Sequence, residues 1–135
     1  MATPRKVFIN LAVGDLEKSK AFFAALGFGF HLKCTNDEAA CMVLGEDGNV
    51  MLLTESTFKR FTQLPLADPR RQTECIVSLT CETRAEVDEM FGKAIAAGAS
   101  QAMDAQDHGF MYCRGFYDLD GHHWEFFWMD PASLQ

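Results

Sequence analysis

His123 and Glu125 stand two residues apart in a run, His123-Trp124-Glu125-Phe126-Phe127-Trp128, that reads as a strand. Residues two apart on a strand share a face, so this pair sets an imidazole beside a carboxylate. Such a pair suits acid–base work, or part of a zinc or iron site if a third donor joins it. The nearest sequence candidate for that donor is His108, in the Asp107-His108-Gly109 turn. Against this, His122 and His123 open a strand beside a turn, where imidazoles are usually solvated. Tyr112 and Arg114 also hold strand spacing and offer a hydroxyl and a guanidinium on one face. If that face is a cavity they sit beside Glu125; if not, Arg114 is a surface charge. Asn10, a neutral amide, suits orienting a ligand and is a poor metal donor. No nucleophile arrangement or phosphate loop is present. Gly27-Phe28-Gly29 lacks the third glycine of a dinucleotide turn and follows a helix instead of a strand.

The elements that must carry these residues occur twice in the same order. An apolar β-favouring run at 7–13 is followed by Asp15, an N-cap, and by Leu16, Phe22, Phe23 and Leu26 at helical spacing. Gly27 suits the left-handed position that ends a helix. Strand-like runs follow at 28–34, 40–44 and 50–54, the last two joined by Gly45-Glu46-Asp47-Gly48-Asn49. From 75–81 the order returns. Thr83 and Glu86 form a capping box, Val87, Met90, Phe91, Ala94 and Ile95 keep helical spacing, and Gly98 ends that helix. Strands are then expected at 101–103, 111–117 and 123–129. Trp124, Phe126 and Trp128 alternate with the His123–Glu125 face and are expected to pack on a helix.

The fold class is therefore α+β: two βαβββ modules in one pseudo-twofold domain. Each is expected to be a four-stranded, mostly antiparallel cupped sheet with a helix on its convex face. A single domain of 135 residues is expected, with module one at 5–56, a linker at 57–73 and module two at 74–130. Phe58 and Phe61 of the linker suit one turn of an anchoring helix, and the linker reads either as a packed connection or as a lid. Matching the first strands pairs Phe8 with Ile76, an offset of 68, and matching the Asp-Gly turns gives 73.

Composition bounds the rest. With 48% apolar and 23% charged residues the chain is globular. A net charge of −7 argues against nucleic acid as partner. No run approaches the roughly 20 apolar residues of a membrane span. The opening MATPRK leads straight into a strand, so no secretory leader is expected. The five cysteines include no CxxC, and most sit inside apolar runs, where a thiol reads as a small buried hydrophobe. Cytoplasm is the expected location.

Two stretches carry a family resemblance. Val13-Gly14-Asp15-Leu16-Glu17-Lys18-Ser19-Lys20-Ala21-Phe22-Phe23 with Leu26-Gly27-Phe28, and Asp118-Leu119-Asp120-Gly121-His122-His123-Trp124-Glu125, resemble the opening and the closing hairpin of vicinal oxygen chelate proteins, the glyoxalase/bleomycin resistance/extradiol dioxygenase superfamily. The likeness looks closest to a bacterial group labelled predicted lactoylglutathione lyase, through Ala39-Ala40-Cys41-Met42-Val43, Val50-Met51-Leu52-Leu53-Thr54-Glu55 and Gly109-Phe110-Met111-Tyr112. The resemblance implies a cavity where the enzymes of the family hold a divalent metal through His or Glu ligands. It also implies a homodimer. Carried over, the ligand positions fall on Phe8, Leu52, Ile76 and Glu125, and the 73-residue offset likewise maps Leu52 to Glu125. Three of the four have no donor atom, and a catalytic metal needs about three protein ligands. The expectation is thus no cofactor and no metal, with a divalent metal as runner-up. Glu125 is the one catalytic candidate: among apolar walls its ionised form would be disfavoured, as in a general base or acid. Phe8, Asn10, Leu52, Ile76, His108, Tyr112 and Arg114 are the candidate ligand-binding residues. Two functions remain open, a metal-free small-molecule-binding protein and a glyoxalase-type lyase or dioxygenase with a non-standard ligand set.

Overall fold

A computed structural model describes residues 3–134, and of Leu134 only the backbone. The chain divides into two compact units, 1–66 and 67–135, with the boundary inside the expected linker.

In the first unit, β1 (Val7–Val13) leads into α1 (Leu16–Ala25), then β2 (Gly29–Phe30), β3 (Ala39–Val43), β4 (Gly48–Thr54) and the short α2 (Glu55–Lys59). The sheet order is β1-β4-β3-β2, and only β1 with β4 is parallel. The Asp15 carboxylate accepts the Lys18 N–H at 3.1 Å, and Gly27 takes φ +102°, so the start and stop of α1 are as its sequence signals them. Leu16, Phe22 and Phe23 of α1 are buried, as are Leu11, Val13, Ala40, Met42, Val50 and Leu52 of the sheet. These alternate strand positions form one face, which α1 covers. Strand β2 is shorter than expected. After Phe30 the chain leaves the edge, because the Thr35 hydroxyl donates to the His31 carbonyl (2.8 Å) and accepts the Cys41 N–H (3.2 Å), closing a turn.

The second unit runs β5 (Ile76–Thr80), α3 (Arg84–Ala96), β6 (Ser100–Gln101), β7 (Gln106–Asp107), β8 (Met111–Tyr117) and β9 (His123–Met129). Its order is β5-β9-β8-β6, again with only the first and last strands parallel, and β7 adds a fifth strand on β8. That fifth strand departs from the four expected. The capping box forms with a shift: Thr83 Oγ1 accepts the Glu86 N–H (3.0 Å), while the Glu86 carboxylate accepts from Glu82 N rather than Thr83 N. Trp124, Phe116 and Phe126 are buried with Val87, Phe91 and Ala94 of α3. No helix among the described residues is long and apolar enough to cross a membrane.

Candidate functional site

In the first unit the face opposite α1 carries Asn10, Ala39, Met51 and Leu53, and these line a cavity of about 620 Å³. The rest of the lining comes from α2 and the residues after it. The Thr54 hydroxyl caps α2 by accepting the Thr57 N–H (3.3 Å) and also donates to Thr57 Oγ1 (2.8 Å). That turn aims Phe58 and Phe61 over the sheet. At the mouth, Arg60 Nη2 donates to Glu38 Oε2 at 2.7 Å. Glu38 is held there because the Asn36 side chain accepts the N–H groups of Glu38 (2.8 Å) and Ala39 (3.1 Å). The site is thus mainly aliphatic and aromatic, with an amide at the sheet and an ion pair at the rim. It holds no nucleophile; the neighbouring Cys41 thiol is pushed up by burial and then by Cys34.

In the second unit Glu125 lies in a smaller hollow, of about 220 Å³, with Ile76, Met103, Gln106, Cys113 and His123 among its walls. Ser78, directly opposite Glu125 in the ladder, donates its hydroxyl to Glu125 Oε1 at 2.7 Å. His123 and Glu125 do share a face. A Cβ at Gly115, the β8 partner of Glu125, would come 2.9 Å from His123 Nε2, so glycine leaves the space that the imidazole fills. Cys113 faces the same hollow, but burial first, and the Glu125 charge second, push its thiol up. It is a poor thiolate nucleophile.

Several sequence expectations change here. Leu52 does not face the cavity; it is wholly buried on the α1 side. Phe8 pairs with Asn49 and Ile76 with His123, so a first-strand offset of 68 goes with a last-strand offset of 74. The turn alignment was one residue short, and a one-residue slip moves a side chain to the other face. The residue matching Glu125 is therefore Met51, whose β1 partner is Asn10. Phe8 shares the Asn10 face but lies outside the cavity lining and is half exposed. Tyr112 and Arg114 do not stand beside Glu125. They project toward α3, where the Tyr112 hydroxyl (2.6 Å) and Arg114 Nη1 (3.2 Å) both donate to Asp88 Oδ1. The Arg114 guanidinium also lies 3.8 Å from the Phe91 ring centre. The Tyr112 hydrogen bond holds the Asp88 carboxyl below its ordinary value, and Asp88 in turn raises Tyr112. His108 sits by Met111, which pairs with Met129, at the opposite end of β9 from His123. Six residues at about 3.3 Å each separate those ends by roughly 20 Å. His108, His123 and Glu125 do not form a group, and none of three or more His, Cys, Asp or Glu side chains able to hold a metal occurs among the described residues. The family's metal does not fit the Glu125 hollow: Asp104, Cys113 and His123 also line it, yet they do not gather with Glu125 into a group of three able to hold an ion, and the ladder partners of Glu125 are Ser78 and Gly115.

Sequence reasoning missed Met51, Leu53 and Ser78. Ser78 could have been found, since it lies two residues from Ile76 and shares its face, whereas Met51 and Leu53 flank Leu52 on the opposite face and needed the register.

Comparison with known proteins agrees with the two-module architecture. A hypothetical protein from S. aureus is 30% identical, with a TM-score of 0.79 over 93% of this chain and 94% of that one. The genomically encoded fosfomycin resistance protein FosX from Listeria monocytogenes is 17% identical, with a TM-score of 0.72 over 99% and 100%. TioX from Micromonospora sp. ML1 is 23% identical, with a TM-score of 0.69 over 93% and 99%. No curated protein matches the sequence. The family model for the Glyoxalase/Bleomycin resistance protein/Dioxygenase superfamily matches residues 7–126. The chain belongs to that superfamily.

Proposed function

We propose that this protein is a small-molecule-binding member of its superfamily that works without a metal, and that its main ligand site is the first-unit cavity. The observation that carries this reading is the cavity itself. Its volume of about 620 Å³ falls in the range of roughly 300–1,000 Å³ that suits drug-sized ligands. Its lining joins Met51, Leu53 and Phe58 to a few polar anchors, Asn10 and the Glu38–Arg60 pair. Such a site binds a largely apolar, partly aromatic molecule, as a drug- or toxin-sequestering protein does. Glu125, held by Ser78, is a polar anchor of the smaller hollow. A lactoylglutathione lyase activity is not part of the proposal, since the register positions facing Glu125 and Met51 lack the donors a glyoxalase-type metal needs. A homodimer is part of the proposal on family membership alone, and sedimentation as a 15.1 kDa species at micromolar concentration would overturn that element.

The test is binding of a naphthalene-based fluorescent dye to the full chain. Binding should be saturable, lost in Met51→Trp, which fills the cavity, and unchanged in Glu125→Gln. Equal binding by Met51→Trp, or loss in Glu125→Gln instead, contradicts the reading.

A further inference from the structure

The second unit holds a cleft of about 470 Å³ that shares no lining residue with the Glu125 hollow. One wall is the chain segment from Pro69 to Thr73, which includes two adjacent arginines; the other comes from Ser100, Tyr117 and Gly121. In a chain of net charge −7, this is a local reversal of sign.

Arg70 is fixed in place. Its N–H donates to Asp68 Oδ1 (3.0 Å) and its Nη2 to the Leu119 carbonyl (3.2 Å). A Cβ at Gly121 would come 3.0 Å from the Arg70 nitrogen and 3.1 Å from its Cγ, and Gly121 has φ +99°. Only glycine lets the arginine and the turn approach this closely. Arg71 is the opposite case: its side chain is 85% exposed, with a loose 3.9 Å contact to Asp68. Its guanidinium fork is therefore available. Ser100 and Tyr117 are ladder partners, and with Thr73 they bring three hydroxyls to the cleft.

The acidic side chain in the lining does not oppose an anion. Asp118 Oδ1 accepts the N–H groups of Asp120 (2.9 Å), Gly121 (3.1 Å) and His122 (3.0 Å), and its Oδ2 accepts the Trp124 indole N–H (2.9 Å). That carboxylate is turned into the protein and largely saturated. Asp68 is taken up by the Arg70 and Arg71 backbone and side-chain contacts.

We propose that this cleft binds a phosphate-bearing small metabolite, its oxyanion held by Arg70 and Arg71 and its remaining polar groups by Thr73, Ser100 and Tyr117. Guanidinium forks carried by two adjacent residues of one wall suit a tetrahedral oxyanion, and the cleft has room for an organic portion beyond it. This site is independent of the first-unit cavity, so failure of either reading leaves the other standing.

The experiment is an amide NMR titration of the full chain with inorganic pyrophosphate, against sodium chloride at matched ionic strength and against citrate. Pyrophosphate should give saturable shifts confined to residues 70–73, Ser100, Tyr117 and Gly121. Arg71→Gln should keep the melting temperature and weaken binding about tenfold, the loss of one charge-assisted contact. Gly121→Ala, which displaces Arg70, should weaken it too. The same shifts with chloride, citrate binding as tightly as pyrophosphate, or an unchanged affinity in Arg71→Gln would each overturn the assignment.

Discussion

Asp118 anchors the last turn of the second unit through four accepted hydrogen bonds, three from the turn's own N–H groups and one from the buried Trp124. Replacing it by alanine removes the side-chain acceptor that these donors share, and losing a hydrogen-bond partner of a buried group costs about 1–3 kcal/mol. Asp118→Ala should therefore lose on the order of 3 kcal/mol or more in urea unfolding; a loss within the scatter of surface substitutions would contradict this role. Burial pushes the Asp118 carboxyl above its ordinary value, partly offset by His122 and the Trp124 hydrogen bond. The fold thus holds the Asp118 proton more tightly than the unfolded chain does, so the proton-linked part of its stability declines as pH rises from the ordinary 3.8 through the raised value. The thiols give a second residue-scale prediction. Burial, followed by a Glu86 hydrogen bond and charge, pushes Cys81 up to about 12, whereas Cys34 is exposed. At pH 8 a disulfide reagent should label Cys34 readily and Cys81 only after unfolding; comparable rates on the folded chain would show that Cys81 is not shielded.

Among the elements, α3 organises one side of the second sheet. Arg84, its first residue, donates to both Asp107 oxygens (2.8 and 3.0 Å) and to the Gly109 carbonyl (2.7 Å). Its guanidinium also lies 5.4 Å from the Tyr112 ring centre and 4.9 Å from that of Trp128. This pairing pins the β7–β8 hairpin, and it holds the Asp107 carboxyl down to about 2. A depressed carboxyl contributes stability above its unfolded value, and that contribution is lost as pH falls through the folded one. For Asp107 the window runs from 3.8 down to about 2. A carboxyl-carbon NMR titration should find the midpoint near the lower value, and Arg84→Ala should return it toward the upper; no movement would mean the pair does not form. The same elements show what the sequence makes legible. Helix limits were readable because caps are local: Asp15, Thr83, Gly27 and Gly98 each act within a turn. Strand β7 was not, because two residues are too short a run to show a pattern, and they hold their place through pairing with β8 and the distant Arg84. The Leu52 position failed because register is set by pairing across the sheet, and turn length does not report it. Tyr112 and Arg114 were correctly placed on one face, but alternation alone does not say which face meets the helix.

At the scale of the whole molecule, the chain repeats one module and gives its two copies different chemistry. The first presents a mainly apolar cavity with Asn10 opposite Met51; the second presents Ser78 opposite Glu125 and, elsewhere, an arginine-lined cleft. Family membership alone does not choose among binding, lyase and dioxygenase roles, and the register of donor atoms is what favours binding without a metal. The most direct test is elemental analysis of the freshly purified protein, with melting measured after adding zinc, nickel, manganese or ferrous ion. A metal present at a hundred times its dissociation constant would stabilise the fold by about 2.7 kcal/mol. The account predicts metal content far below one per chain and no such stabilisation by any of the four ions. A content near one metal per chain, lost in Glu125→Gln, would contradict it and make this protein a metalloenzyme of its family.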